Sequence, residues 1–163
     1  MLWLGVANSL TMDFVVRKKV ALKMSYTIMD SLPFPRDWAT IPVARDIAER
    51  VFALCAVGQD MNDFRLLVQK EGRIHCPSAG VESTDQRARL MAEIDALVAH
   101  EVYGLTRREM LYILDPANLL GEDCGLETFK AMKNREIREY GEYRTQRLVL
   151  EAWDELVAKE KVA

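Results

Sequence analysis

The chain has 163 residues, half of them hydrophobic and 29% charged, with a net charge of −3. This is enough for one domain with a real core, and it excludes collagen-like, mucin-like and disordered classes. The mild acidity does not advertise a nucleic-acid binder, so a polyanion partner would have to be met locally.

The charge is unevenly spread. Residues 1–36 carry Arg17, Lys18, Lys19, Lys23 and Arg36 against only Asp13 and Asp30. Any affinity for a polyanion therefore belongs in this first quarter. The three cysteines, Cys55, Cys76 and Cys124, are widely spaced, and there are only two histidines, His75 and His100. That pattern fits neither a disulfide framework nor a zinc ribbon and is read as reduced thiols in the cytoplasm. No apolar run reaches the roughly 20 residues of a membrane span.

In chain order, the opening Leu2-Trp3-Leu4 is apolar but short and has no basic leader, so it is not read as a signal peptide. It reads as a helix that would cover a partner surface, as in a fragment of a larger protein. A single helix is expected over 3–20, with Leu4, Ala7, Leu10, Phe14 and Val15 at three- and four-residue spacings. Arg17-Lys18-Lys19 at its end suits the negative pole of a helix, and it equally suits phosphate contact. Residues 24–32 are expected to be extended, because Tyr26, Ile28 and Leu32 alternate with polar positions. Pro33-Phe34-Pro35 stops any regular element. A boundary is placed there, between a DNA-side element over 1–36 and a helical module over 37–163.

Helical hairpins should follow. Thr40 is expected to cap a helix whose stripe is Val43, Ile47, Val51 and Leu54, helped by Ala44, Ala48 and Phe52. A short helix over about 61–70 should turn Met61, Phe64, Leu67 and Val68 inward, and 71–82 reads as a loop. The clearest helix runs over about 84–103, capped by Ser83 or Thr84. It shows one face of Leu90, Met91, Ile94, Leu97, Val98 and Val102, and Gly104 follows as a left-handed cap. Thr106-Arg107-Arg108-Glu109 has the form of a capping box. Asp115-Pro116 ends that helix, 117–125 reads as a loop, and helices over about 126–140 and 143–160 are parted by Gly141. The last packs through Leu148, Val149, Ala152, Trp153 and Leu156. The fold class expected is mainly α: a helical bundle of about five to six helices with a short extended segment near the N-terminus.

No catalytic apparatus can be assembled from these residues. There is no Gly-x-Gly cofactor loop, no phosphate loop, no nucleophile elbow and no zinc helix. Cys55 is expected to be a core thiol. His75 and Cys76 are adjacent and seldom orient as base and nucleophile. His100 is expected to be structural. The acids around Gly141, Glu136 among them, are expected to be solvated faces in an ion-pair network. Arg144 and Arg147 are weak phosphate candidates beside those acids.

Three stretches resemble a known family. The first is Ala7-Asn8-Ser9-Leu10-Thr11-Met12-Asp13-Phe14, running on to Tyr26-Thr27-Ile28 and Leu32-Pro33-Phe34-Pro35. The second is Arg89-Leu90 through His100 to Tyr103-Gly104-Leu105-Thr106. The third is Tyr112-Ile113-Leu114-Asp115-Pro116, Glu127-Thr128-Phe129 and Arg138 through Thr145. In order and spacing they are similar to the end of the target-recognition region and the helical tail of large adenine-N6 DNA methyltransferases, as found in type IIG-like restriction–modification and phage-defence systems. The catalytic Asn-Pro-Pro-Tyr loop and the S-adenosylmethionine pocket of that family are absent from this chain. The resemblance thus implies a non-catalytic DNA-recognition and scaffold piece, with S-adenosylmethionine held by an upstream methyltransferase domain and double-stranded DNA as the partner. Read with the charge pattern, Arg17, Lys18, Lys19 and Lys23 are the expected phosphate contacts, with Tyr26 beside them. The rival reading is a helical interaction or self-association module that docks through the exposed apolar first helix.

Overall fold

The computed structural model describes residues 1–20, 23–37, 40–72, 74–75 and 79–161. Among these residues the chain forms ten α-helices and no strand. The expectation of five to six helices with an extended segment is therefore corrected, and the reasons are local.

The helix expected over 3–20 breaks in two: α1 (Leu2–Ala7) and α2 (Leu10–Lys19). Ser9 is the cause. Its backbone is extended, its hydroxyl accepts from the Met12 N–H, and it donates to the Val6 carbonyl at 2.8 Å. One side chain thus ends α1 and caps α2. The stretch expected to be extended is instead a single helical turn, α3 (Tyr26–Asp30). Ser25 caps it by accepting from Ile28 N–H, and Ser31 closes its end by donating to Ile28 O. A few alternating residues are a weak strand signal with no neighbouring strand to pair with, and two serine caps outweigh it.

Helix α4 (Ala44–Cys55) buries Val43, Ile47, Ala48, Val51 and Phe52 as expected. Thr40, however, does not cap it. The N-cap position is Val43, and the Thr40 hydroxyl donates to Asp37 O instead. Helix α5 (Asn62–Glu71) keeps Phe64 against Phe52, with ring centroids 5.5 Å apart, but leaves Leu67 exposed rather than inward. Helix α6 (Thr84–Leu97) continues through a π-helical turn over Val98–Val102 to Gly104 at φ +63°. Helix α7 (Arg107–Leu114) begins with the expected capping box, in which Glu109 and Thr106 satisfy each other's amides. The expected loop after it holds a short turn, α8 (Ala117–Leu120). Helices α9 (Lys130–Tyr140) and α10 (Arg144–Glu160) are parted by Gly141 at φ +75°.

Helix α6 is the axis of the fold. One face, Ile94, Leu97 and Val98, joins Val6, Met12, Leu32, Ile47 and Val51 in one apolar cluster. The opposite face, Ala92, Ala96 and Ala99, packs on Leu148, Val149 and Trp153 of α10 and on Met110 and Leu114 of α7. Three alanines at four- and three-residue spacing let α10 lie close along α6. The first cluster draws on residues from both sides of position 36. Gly5 sits where α1 crosses α4. A Cβ there would lie 2.6 Å from Ile47 Cγ2, so only glycine permits this approach. No helix is long and apolar enough to cross a membrane among the described residues.

Candidate functional site

The basic end of α2 is on the surface, but two of its three cations are engaged locally. Arg17 makes a two-pronged ion pair with Asp13, both contacts at 3.0 Å, and lies 5.2 Å from the centre of the Phe129 ring. Lys19 donates to the carbonyl and hydroxyl of Ser31 at 2.7 and 3.1 Å, tying α2 to the end of α3. Lys18 reaches back over the Phe14 ring at 5.3 Å with its charge still in solvent. Lys23 is exposed, and Tyr26 at the start of α3 is 92% exposed. All five residues are exposed, and of the four cations Lys18 and Lys23 have no carboxylate or carbonyl partner among the described residues.

Arg144 and Arg147 are also engaged. Arg144 donates to Asp85 at 2.8 Å and stacks on Tyr140 at 4.9 Å, and Arg147 bridges Glu142 and Glu151. Neither is left to hold a phosphate. Cys55, expected in the core, is exposed, while Cys76 lies outside the described residues.

The sequence reading overlooked a group of buried acids. Asp95, Asp115 and Glu136 are 8%, 5% and 7% exposed. Asp115 accepts from Lys133 Nζ at 2.6 Å. Glu136, expected to be solvated, accepts from the Thr145 N–H at 2.7 Å and from its hydroxyl at 2.6 Å, so it neutralises the first turn of α10. Asp95 accepts from Leu10 N–H at 2.7 Å, at the first turn of α2, and from no other donor among the described residues. Burial pushes its carboxyl up to about 7, against the lowering effect of the Leu10 bond. The three acids share a neighbourhood. Burial, and then the negative charge of Glu136, Asp115 and Asp95 in that order, push the Tyr143 phenol well above its usual range.

Asp95 stands between two surface cavities. One, of about 330 Å³, lies between α1, α4 and α6 and is walled by Leu4, Val51, Leu54, Met91 and Ile94. The other, of about 370 Å³, is bordered by α9 and α10 and includes Arg87, Arg135, Glu136, Glu139 and Arg144. An aspartate at position 95 reads as a solvated residue in a helical pattern, and only its position between two apolar faces, Ile94 and Ala96, could have signalled otherwise.

A third group combines His100, Glu101 and Glu160, whose ligand atoms lie within 4.8 Å of one another. His100 Nδ1 is 2.7 Å from Glu101 Oε1 and 3.6 Å from Glu160 Oε1, and its ring meets Trp153 edge to face. The π turn brings the sequence neighbours His100 and Glu101 onto one side. This donor set is that of a divalent-cation ligand group. Hydrogen bonds within the group already account for its geometry, and no function is assigned to it.

No protein-family model, no curated protein and no solved structure matches the chain.

Proposed function

We propose that this chain is a non-catalytic helical recognition and scaffold segment of a site-specific DNA adenine-N6 methyltransferase. In this reading it braces the target-recognition region and touches the DNA backbone only at the end of α2 and in the segment before α3. The methyl donor S-adenosylmethionine and the catalytic loop would reside in the upstream methyltransferase domain, and the flipped adenine would be met there.

The observation that carries the reading is the way the three family-like stretches converge. Leu10 of the first donates to Asp95 of the second, and Tyr143 of the third lies among Asp95, Asp115 and Glu136. Residues whose order resembles the family tail are thus also the residues that hold this fold together. Exposed Lys18 and Lys23 supply two cations for phosphate oxygens, with bracing left to the acidic helices.

The test is the salt dependence of duplex binding. Each phosphate contact contributes roughly 0.9 to the slope of log affinity against log salt. Replacing Lys18 and Lys23 together by alanine should reduce that slope by about 2, and replacing Arg17 and Lys19 should change it far less. An unchanged slope in the Lys18/Lys23 variant removes the DNA contact from the proposal. The rival docking reading has its own support. Trp3 is 52% exposed and stacks on Phe34 at 5.5 Å, beside Met1 and Leu4, which are also exposed. A stable dimer with no duplex binding at low salt would favour that reading.

A further inference from the structure

We propose that the cavity between α1, α4 and α6 binds a small organic cation. Its apolar body would lie against Leu4, Val51, Leu54 and Ile94, and its charged nitrogen would sit on the free oxygen of Asp95. This goes beyond the methyltransferase reading and does not rest on it.

The cavity holds about 330 Å³, within the range of small-molecule sites. Its walls are almost wholly apolar. The polar side chains reaching it are Asn8 and Asp95, with the Cys55 thiol at the edge, and no lysine, arginine or histidine lines it. Asn8 gives one of its two amide N–H groups to the Leu4 carbonyl at 2.8 Å and keeps a second N–H and its carbonyl oxygen. Asn8 can thus donate or accept, and it is Asp95 that calls for a donor. One oxygen of Asp95 takes the Leu10 N–H; the other has no hydrogen-bond partner among the described residues, although the side chain is 92% buried.

The chemistry selects the ligand class. A buried carboxylate with one donor is costly, and an ammonium or amidinium would complete its bonding as a charge-assisted pair. An anion would be repelled by Asp95. A neutral hydrocarbon would fill the walls and leave the carboxylate dry. The opening is flanked by exposed Leu4 and Met91, at 38% and 54%, so a ligand needs no rearrangement of the bundle to enter.

The experiment is calorimetric titration of the chain with benzamidine, phenethylamine and cyclohexylamine, each paired with a neutral isostere (benzamide, phenethyl alcohol and cyclohexanol). At least one cation should bind at one-to-one stoichiometry, at least tenfold more tightly than its isostere. The Asp95→Asn variant, which keeps an acceptor for Leu10 N–H, should weaken that cation at least tenfold and leave the isostere unchanged. Met91→Trp, a change at an exposed position, should block binding with the circular dichroism spectrum retained. The proposal is overturned if no cation outbinds its isostere, or if Asp95→Asn folds and binds as well as wild type. Should Asp95→Asn fail to fold, Met91→Trp decides, and undiminished binding in that variant places the ligand elsewhere.

Discussion

Asp95→Asn also tests the energetics of the unliganded protein. In the unfolded chain this carboxyl titrates near 3.9, as an ordinary aspartate does. In the folded chain burial raises it to about 7. Between these values the unfolded chain has given up a proton that the folded chain retains, so stability falls as pH rises. One pH unit is worth about 1.36 kcal/mol, and the loss accumulates to about 4 kcal/mol by neutrality. That figure is already net of the Leu10 N–H at 2.7 Å, which favours the charged form. Stripping the carboxylate of water costs several kcal/mol, and one donor does not cover that. An asparagine at 95 is neutral throughout and can still accept from Leu10. The variant should therefore melt higher than wild type at pH 8, by roughly 10 °C at about 2–4 °C per kcal/mol for a chain of this size. The gap should close to about 1 kcal/mol near pH 4.5, where wild-type Asp95 is mostly protonated. Every other acid titrates in both proteins, so the difference isolates Asp95. Thermal denaturation followed by circular dichroism across pH 4.5–8 measures it. A variant less stable than wild type by the same margin at every pH refutes the argument: Asp95 would then be ionised and adequately solvated.

Three further outcomes follow from individual contacts. Ser9→Ala removes both the cap of α2 and the bond that ends α1, and should cost about 1–2 kcal/mol by urea denaturation; no loss would mean the break is set by tertiary packing alone. Glu136→Ala leaves the half-buried Thr145 N–H and hydroxyl without their acceptor and should cost about 1–3 kcal/mol, whereas a more exposed partner such as Glu142→Ala should cost under about 1 kcal/mol. Gly5→Ala gains about 1 kcal/mol of helix propensity but drives a Cβ to 2.6 Å from Ile47 Cγ2, an overpacking penalty of about 1–3 kcal/mol. A net loss in melting temperature is expected, and combining it with Ile47→Val should recover part of that loss.

Where one residue type decides the conformation, the element can be read from the sequence. The Thr106–Glu109 box, Gly104 and Gly141 stand where their chemistry puts them. The stripe of α4 and the inner face of α10 follow from apolar spacing. Features that depend on distant residues were not legible. Ser9 breaks an otherwise periodic run, and the α2 amide beside it is satisfied by Asp95, 85 residues away. The second face of α6 is made of alanines, which add little to an apolar pattern yet govern how near α10 can come. The cations of α2 could be counted in advance. That Asp13 and Ser31 occupy two of them could not, because the second requires 24–32 to turn back as α3.

The buried acids show where the fold holds something in reserve. Asp115, Glu136 and Asp95 lie within electrostatic reach of the same tyrosine, whose hydroxyl is buried without a hydrogen-bond partner. In such a low-dielectric region an acid is tolerable in proportion to the donors around it. Asp115 has the Lys133 ammonium, and Glu136 has two donors from Thr145. Asp95 has a single amide. If all three acids served only to join helices, the one facing two cavities should be as well supplied as the others, since water or a side chain could reach it from either side. Asp115 also has a single donor, but a charged one; Asp95 has only a neutral amide, and it is the residue that walls the apolar cavity. A structural carboxylate stabilises most when its partners come from the protein; one with a single neutral donor beside an apolar hollow gains most from a partner that arrives. That contrast, rather than the partly neutralised end of α2, is the reason to look for a small ligand on the α6 side of this bundle.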